Sequence, residues 1–153
     1  MYEIQKLSKI NVLPGDLVID CGANIGEVTS FFCNKGAKVF AFEPNKYAFE
    51  ILKKRFEYNN NVYCIQKGVS SPQQSGMAKL YLHENASQDQ IKFSTGSSTC
   101  IEKNNVNKNS FLEIELIDLC FFINSLKERT KLPIKVLKID IEGTEVELID
   151  SLI

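Results

Sequence analysis

The chain is 153 residues long, which at about 100–200 residues per domain makes one domain with an apolar core and leaves no room for a second catalytic one. Hydrophobic residues make up 44 % and charged residues 24 %, a composition that excludes wholly disordered, fibrous and coiled-coil chains. With 18 Lys plus Arg against 19 Asp plus Glu, the net charge of −1 offers no positive field to a polyphosphate backbone, so no nucleic-acid partner is indicated.

No apolar run approaches the roughly 20 residues that span a bilayer, and MYEIQKLSKINVLPGD lacks the apolar core and cleavage pattern of a secretory signal. The expectation is a soluble, cytoplasmic chain with no membrane partner. The cysteines at 21, 33, 64, 100 and 120 are odd in number without a close pair. They read as reduced, mostly buried thiols rather than a disulfide framework or a zinc site. One histidine, His83, cannot make a histidine-rich metal site, so no metal is expected.

In chain order, Pro14 and Gly15 make a turn, and Leu17 to Ile19 form a short apolar strand that ends at Asp20 and enters the loop CGANIGE. VTSFFCNKG follows as a helix with apolar residues at 28, 31 and 32 and Gly36 as its C-terminal cap, and Asn24 and Glu27 have the spacing of a capping box. AKVFAFE is a buried strand ending in Glu43. PNKYAFEILKKRFEYNN is an amphipathic helix with Phe49, Leu52 and Phe56 on one side, and NVYCIQKGVS is a third strand with its exit loop.

Strand, helix, strand, helix, strand builds an open parallel sheet with right-handed crossovers and helices on its faces. From Ser70 to Ser110 the pattern loosens into an insertion or mobile loop region holding KLYLHE and IKF as short strands and GSSTCIEKNNVNKNS as a polar stretch. FLEIELIDL is a strand turning into the helix LCFFINSLKE near Asp118, LPIKVLKID is the next buried strand, and IEGTEVELIDSLI opens a final helix. Leu132 to Ile139 is then an apolar edge strand, which calls for a second chain or a further segment to cover it.

VIDCGANIGE is the most informative segment. An acidic strand end, Gly22 and Gly26 in the turn and an immediate helix start bring backbone N–H groups against a ligand at the sheet's C-terminal edge. The dinucleotide GxGxxG spacing is not met, because Gly22 and Gly26 are four apart. The plain alternative is a tight strand-to-helix turn. Glu43 shifts the balance, because it ends the second strand where a carboxylate accepts both hydrogens of a ribose diol.

With these residues in view, the chain resembles the FkbM family of class I S-adenosylmethionine-dependent methyltransferases. VIDCGANIGEVTSFF resembles the family's first glycine motif, FAFEPNKYAFEILKKRFEYN its acidic ribose motif and VLKIDIEGTEVELI its late motif. QKGVSSPQQSGMAKLYL, SSTC and IELIDLC resemble weaker segments, so the likeness runs from about residue 16 to 153.

The resemblance implies a single domain over 1–153, a Rossmann-like three-layer αβα sandwich shortened at its C-terminus. It implies S-adenosylmethionine as cofactor, with Asp20, Cys21, Gly22, Ala23 and Asn24 near its amino-acid portion and Gly26 allowing close helix packing. Glu43 would hold the ribose, and Gly68, Val69 and Ser70 would lie near adenine. Asp140, Glu142 and Gly143 would line the cleft beside the methyl, with Asp140 the first and Glu142 the second choice for orienting or deprotonating the acceptor. Against this, Asp140 reads plainly as a strand terminator and Glu142 as favouring a helix N-terminus.

The implied reaction is SN2 transfer to a hydroxyl of a saccharide or other small molecule. Two other readings remain open, a non-catalytic cofactor-binding or structural fragment and an NAD-binding oxidoreductase. A homodimer or a missing C-terminal segment is the expected cover for the sheet edge. His83 reads as a hairpin-edge residue bonded locally rather than a base, and Ser97, Ser98 and Thr99 as a polar loop or a contact to donor or acceptor.

Overall fold

Side chains of a β-strand alternate between two faces, and in β1 (Leu17–Cys21) both faces are buried. Val18 packs with Val28 and Phe32 of α2 (Glu27–Cys33) and with Phe49 and Leu52 of α3 (Lys46–Arg55). Leu17, Ile19 and Cys21 pack instead with Leu119, Ile123 and Leu126 of α4 (Leu119–Thr130) and with Leu148 of α5 (Glu145–Leu152). A sheet covered on both faces is what a continuous apolar strand demands. Each fully buried Leu or Phe side chain here contributes roughly 1.5–3 kcal/mol.

The computed structural model describes residues 2–85, 89, 98–99, 106–141 and 145–152. Its central sheet is parallel, in the order β3 (Val62–Ile65), β2 (Lys38–Phe42), β1, β7 (Ile134–Ile139). A smaller sheet runs β4 (Gly68–Ser70), β6 (Val106–Asp118), β5 (Gly76–His83), with β4 parallel and β5 antiparallel to β6. A short N-terminal helix, α1 (Tyr2–Leu7), precedes β1. This is the expected Rossmann-like α/β architecture.

Local chemistry sets the helix ends. The Asn45 side chain accepts from the Tyr47 N–H at 3.0 Å and starts α3, while Lys53, Lys54 and Arg55 lie in its last turn, where cations suit the helix dipole. Asp118 caps α4 the same way through the Phe121 N–H at 3.0 Å.

Several expectations need correction. Periodicity did not reveal α1. NVYCIQKGVS is two strands in two sheets, since Lys67 N–H turns back onto the Ile65 carbonyl and β4 leaves to join β6. β6 begins at Val106, inside the stretch read as polar loop, because Val106 pairs with His83 of β5 beyond a break in register. IKF lies outside the described residues.

Phe49 and Phe56, on the apolar side of α3 and its end, are buried, and Phe122 packs edge-on against Phe40 and Phe42. Phe121, at 71 % exposure, faces solvent. Cys21 and Cys33 are buried free thiols and Cys64 and Cys120 half-buried ones, while Cys100 lies outside the described residues. No described helix is long and apolar enough to cross a membrane.

Candidate active site

The strands β1, β2 and β7 run parallel, so their C-terminal ends share one edge, and register decides which residues meet there. Cys21 is paired with Phe42 on one side and with Ile139 on the other. The next residue of each strand, Gly22, Glu43 and Asp140, therefore emerges at the same level. Crevices at the carboxyl end of such sheets are where ligands bind.

Gly22 makes the convergence sterically possible. It has φ +77°, and a β-carbon there would overlap the Asp140 carbonyl oxygen and lie 2.9 Å from its carbon. Its N–H and that of Ala23 both donate to the Phe42 carbonyl, at 3.0 and 2.9 Å, while Asp140 N–H donates to the Cys21 carbonyl at 3.0 Å. The loop is thus laced to both neighbouring strands. Gly26 has φ +87°, and a β-carbon there would fall 2.7 Å from Leu52 and Phe56. Arg55 fastens the same turn by donating to the Ile25 carbonyl at 2.8 Å.

The capping box expected from Asn24 and Glu27 does not form. Gly26 is the N-cap of α2 with no side-chain cap, and Asn24, in the left-handed region at φ +50°, gives its backbone N–H to Glu43 Oε2 at 2.8 Å. Glu43 Oε1 accepts from Asn45 N–H, also at 2.8 Å. Each carboxylate oxygen keeps a further lone pair. At 7 % exposure, burial pushes the Glu43 carboxyl up to about 7, against the lowering by the Asn45 and Asn24 N–H groups and Lys138, with Asp20 adding to the rise.

Asp20 is fully buried on the α2 side of the sheet, where its Oδ2 accepts from Thr29 Oγ1 at 2.7 Å. Lys138 Nζ stands 3.4 Å from Asp20 Oδ1 and 3.6 Å from Asp140 Oδ2, and donates to the Gly22 carbonyl at 2.9 Å. The Asp140 side chain is 57 % exposed. Cys21 points to the opposite face, and burial raises its thiol far above the ordinary range, so its contribution at this edge is its carbonyl.

Gly68, Val69 and Ser70 are buried in β4. Gly68 reaches the loop after Glu43, a β-carbon on it lying 3.7 Å from Pro44, and the Ser70 hydroxyl is already turned onto the Ser71 carbonyl at 3.0 Å. Glu142, Gly143 and Ser97 lie outside the described residues. His83 Nδ1 accepts from Asn85 N–H at 3.1 Å, and Ser98 forms a backbone bridge with Tyr81. Among the described residues no group of three His, Cys, Asp or Glu side chains is placed to hold a metal ion.

A cleft of about 440 Å³ lies on the α4 and α5 side of β7, lined by Cys120, Ile134, Leu137 and Leu152 among others and not by Gly22, Glu43 or Asp140. Sequence reasoning passed over Thr29 and Lys138. The signal for Lys138 was a cation, like Lys135, set among the apolar residues of β7, but which face it takes depends on the register with β1.

The chain matches the FkbM methyltransferase domain family over residues 20–152. Among solved structures, the FkbM methyltransferase of Methylobacillus flagellatus KT is similar with a TM-score of 0.51 at 16 % identity, over 94 % of this chain and 30 % of its own. A Clostridium thermocellum protein provisionally named an rRNA methylase gives a TM-score of 0.38 at 14 % identity, over 72 % of this chain and 84 % of its own. No curated protein sequence matches significantly. The chain thus spans about 30 % of the length of the Methylobacillus protein, and that likeness supports the fold alone. A family match running from Asp20 into α5 takes in every strand end that converges at this edge, and the chain belongs to the FkbM methyltransferase family.

Proposed function

We propose that the chain binds S-adenosylmethionine where β1, β2 and β7 end, and that this edge serves methyl transfer to a hydroxyl of a saccharide or other small molecule. The observation that carries the reading is the register that brings Gly22, Glu43 and Asp140 level. Two features fit the ligand's chemistry. Glu43 is held by one N–H on each oxygen, leaving a lone pair on each for the two hydroxyl hydrogens of a ribose. Asp20, Glu43 and Asp140 are three carboxylates at one edge, with Lys138 among them, an environment suited to a ligand carrying an ammonium and a sulfonium.

Held there, S-adenosylmethionine would supply an electrophilic methyl carbon on a sulfonium, with a neutral thioether as the leaving group when a hydroxyl oxygen bonds to that carbon. The chain's part is alignment, exclusion of water and removal of a proton. Gly22, Ala23 and Asn24 present backbone at the amino-acid portion, Glu43 fixes the ribose, and Gly68 to Ser70 flank adenine through backbone and packing. Exposed Asp140 orients the acceptor hydroxyl and takes its proton, with Glu142 the second candidate from sequence.

Calorimetric titration tests the binding. S-adenosylmethionine is expected to bind while NAD and NADP do not, and Glu43→Ala is expected to weaken binding about tenfold or more, as the loss of hydrogen bonds to a charged group implies. Unchanged affinity in that variant would remove Glu43 from the ribose. Asp140→Asn is expected to retain binding and lose transfer to hydroxyl acceptors. Binding without transfer to any acceptor would instead favour a non-catalytic cofactor-binding chain.

A further inference from the structure

Asp20 and Lys138 are partners in the β1–β7 register, and the alternation that turns Leu137 and Ile139 toward α4 turns Lys138 onto the face of Asp20. The Lys138 side chain is only 9 % exposed, a burial that costs free energy unless the ammonium is paired. Neutralising Asp20 explains part of that pairing and not its geometry. Asp20 Oδ1 stands 3.4 Å from the ammonium and has no hydrogen-bond partner among the described residues. The shorter contact, at 2.9 Å, goes past Asp20 to the Gly22 carbonyl, and Asp140 Oδ2 lies 3.6 Å away. One ammonium therefore joins the end of β1, the glycine loop and the exit of β7.

We propose that Lys138 is a positioning residue that fixes the Gly22 carbonyl for the ligand's amino-acid portion and the Asp140 carboxylate for the acceptor hydroxyl. The proposal rests on the cofactor reading given above. Gly22 is free in φ and carries no side chain to anchor it, so the direction of its carbonyl must be set from outside. An ammonium does so, with a bond stronger than a neutral donor makes. Bracing both acceptors before the ligand arrives lowers the ordering cost of binding.

The test compares Asp20→Asn with the double variant Asp20→Asn/Lys138→Met, because the amide introduced by Asp20→Asn keeps an acceptor for Thr29 and removes the charge that Lys138 would otherwise balance. Amide hydrogen exchange without ligand reads the brace at Gly22, Ala23 and Asp140, and calorimetry with S-adenosylmethionine reads its consequence. The double variant is expected to lose about tenfold in protection at those amides and about tenfold in affinity relative to Asp20→Asn.

If Lys138 only balanced the charge of Asp20, the second substitution would change neither quantity, and the proposal falls. Lost protection with unchanged affinity overturns it equally. If the unaltered chain binds no S-adenosylmethionine, the cofactor reading fails on its own, and the exchange comparison still decides whether Lys138 braces the loop. Should the double variant not fold, the unaltered protein decides. Its Lys138 ammonium resonance, assigned by its absence from Lys138→Arg, is expected to exchange slowly with solvent, and fast exchange refutes the brace.

Discussion

At Gly22 two demands coincide, a positive φ and an approach to the Asp140 carbonyl that leaves no space for a β-carbon. Gly22→Ala is therefore expected to destabilise by about 3 kcal/mol or more, because the obstacle is backbone and cannot rotate away. Urea unfolding measures the loss, and a change under about 1 kcal/mol would mean that the two strand ends separate easily. Glu43 makes a prediction in pH. Its carboxyl rises from 4.5 to about 7 on folding, so its contribution to stability is full below 4.5 and is lost as pH climbs through 7. The loss is on the order of 3 kcal/mol, and Glu43→Gln is expected to be less stable but to lack that slope. Nucleoside affinity should move the other way, strengthening through the same pH range as the carboxylate gains acceptor sites. A stability profile for the unaltered chain that is flat from pH 5 to 8 would refute the shift.

Among the elements, α2 and α3 hold the glycine loop in place from one face. Phe32 of α2 is fully buried against Val18 and Leu52, so Phe32→Ala is expected to cost about 3–5 kcal/mol through transfer and cavity terms, read as a lower urea midpoint with unchanged slope. Asn45→Ala removes the cap of α3 and is expected to cost about 1 kcal/mol. Because the Asn45 N–H that meets Glu43 belongs to the backbone, that variant should keep its nucleoside affinity. The capping box shows how element-level reading goes astray. Asn24 and Glu27 have the right spacing, yet the Asn24 N–H is claimed by Glu43, nineteen residues away, and Gly26 begins the helix instead. Spacing rules see neighbours in sequence, and this competitor arrives only with the β1–β2 pairing.

Across the whole molecule, β7 pairs with β1 and is the last strand of the described sheet on that side. An edge strand offers unpaired backbone groups to another chain. Self-association is the expected consequence, and sedimentation across a concentration series that finds only monomer would overturn it. The sequence by itself determined the alternation of strands and helices, the parallel sheet, the acidic ends of β1 and β2 and the resemblance to a family, because period, turn residues and short motifs are local properties. Tertiary structure alone decided the rest. The small sheet is held by pairings between residues far apart in sequence, such as Lys79 with Glu113, and local pattern does not say which strand pairs with which. The level meeting of Gly22, Glu43 and Asp140 is a matter of register, and a one-residue slip would turn each side chain to the other face. Lys138 shows the same division most sharply, for its sequence neighbours say only that a cation sits in an apolar strand, whereas its pairing with Asp20 places the ammonium under the loop.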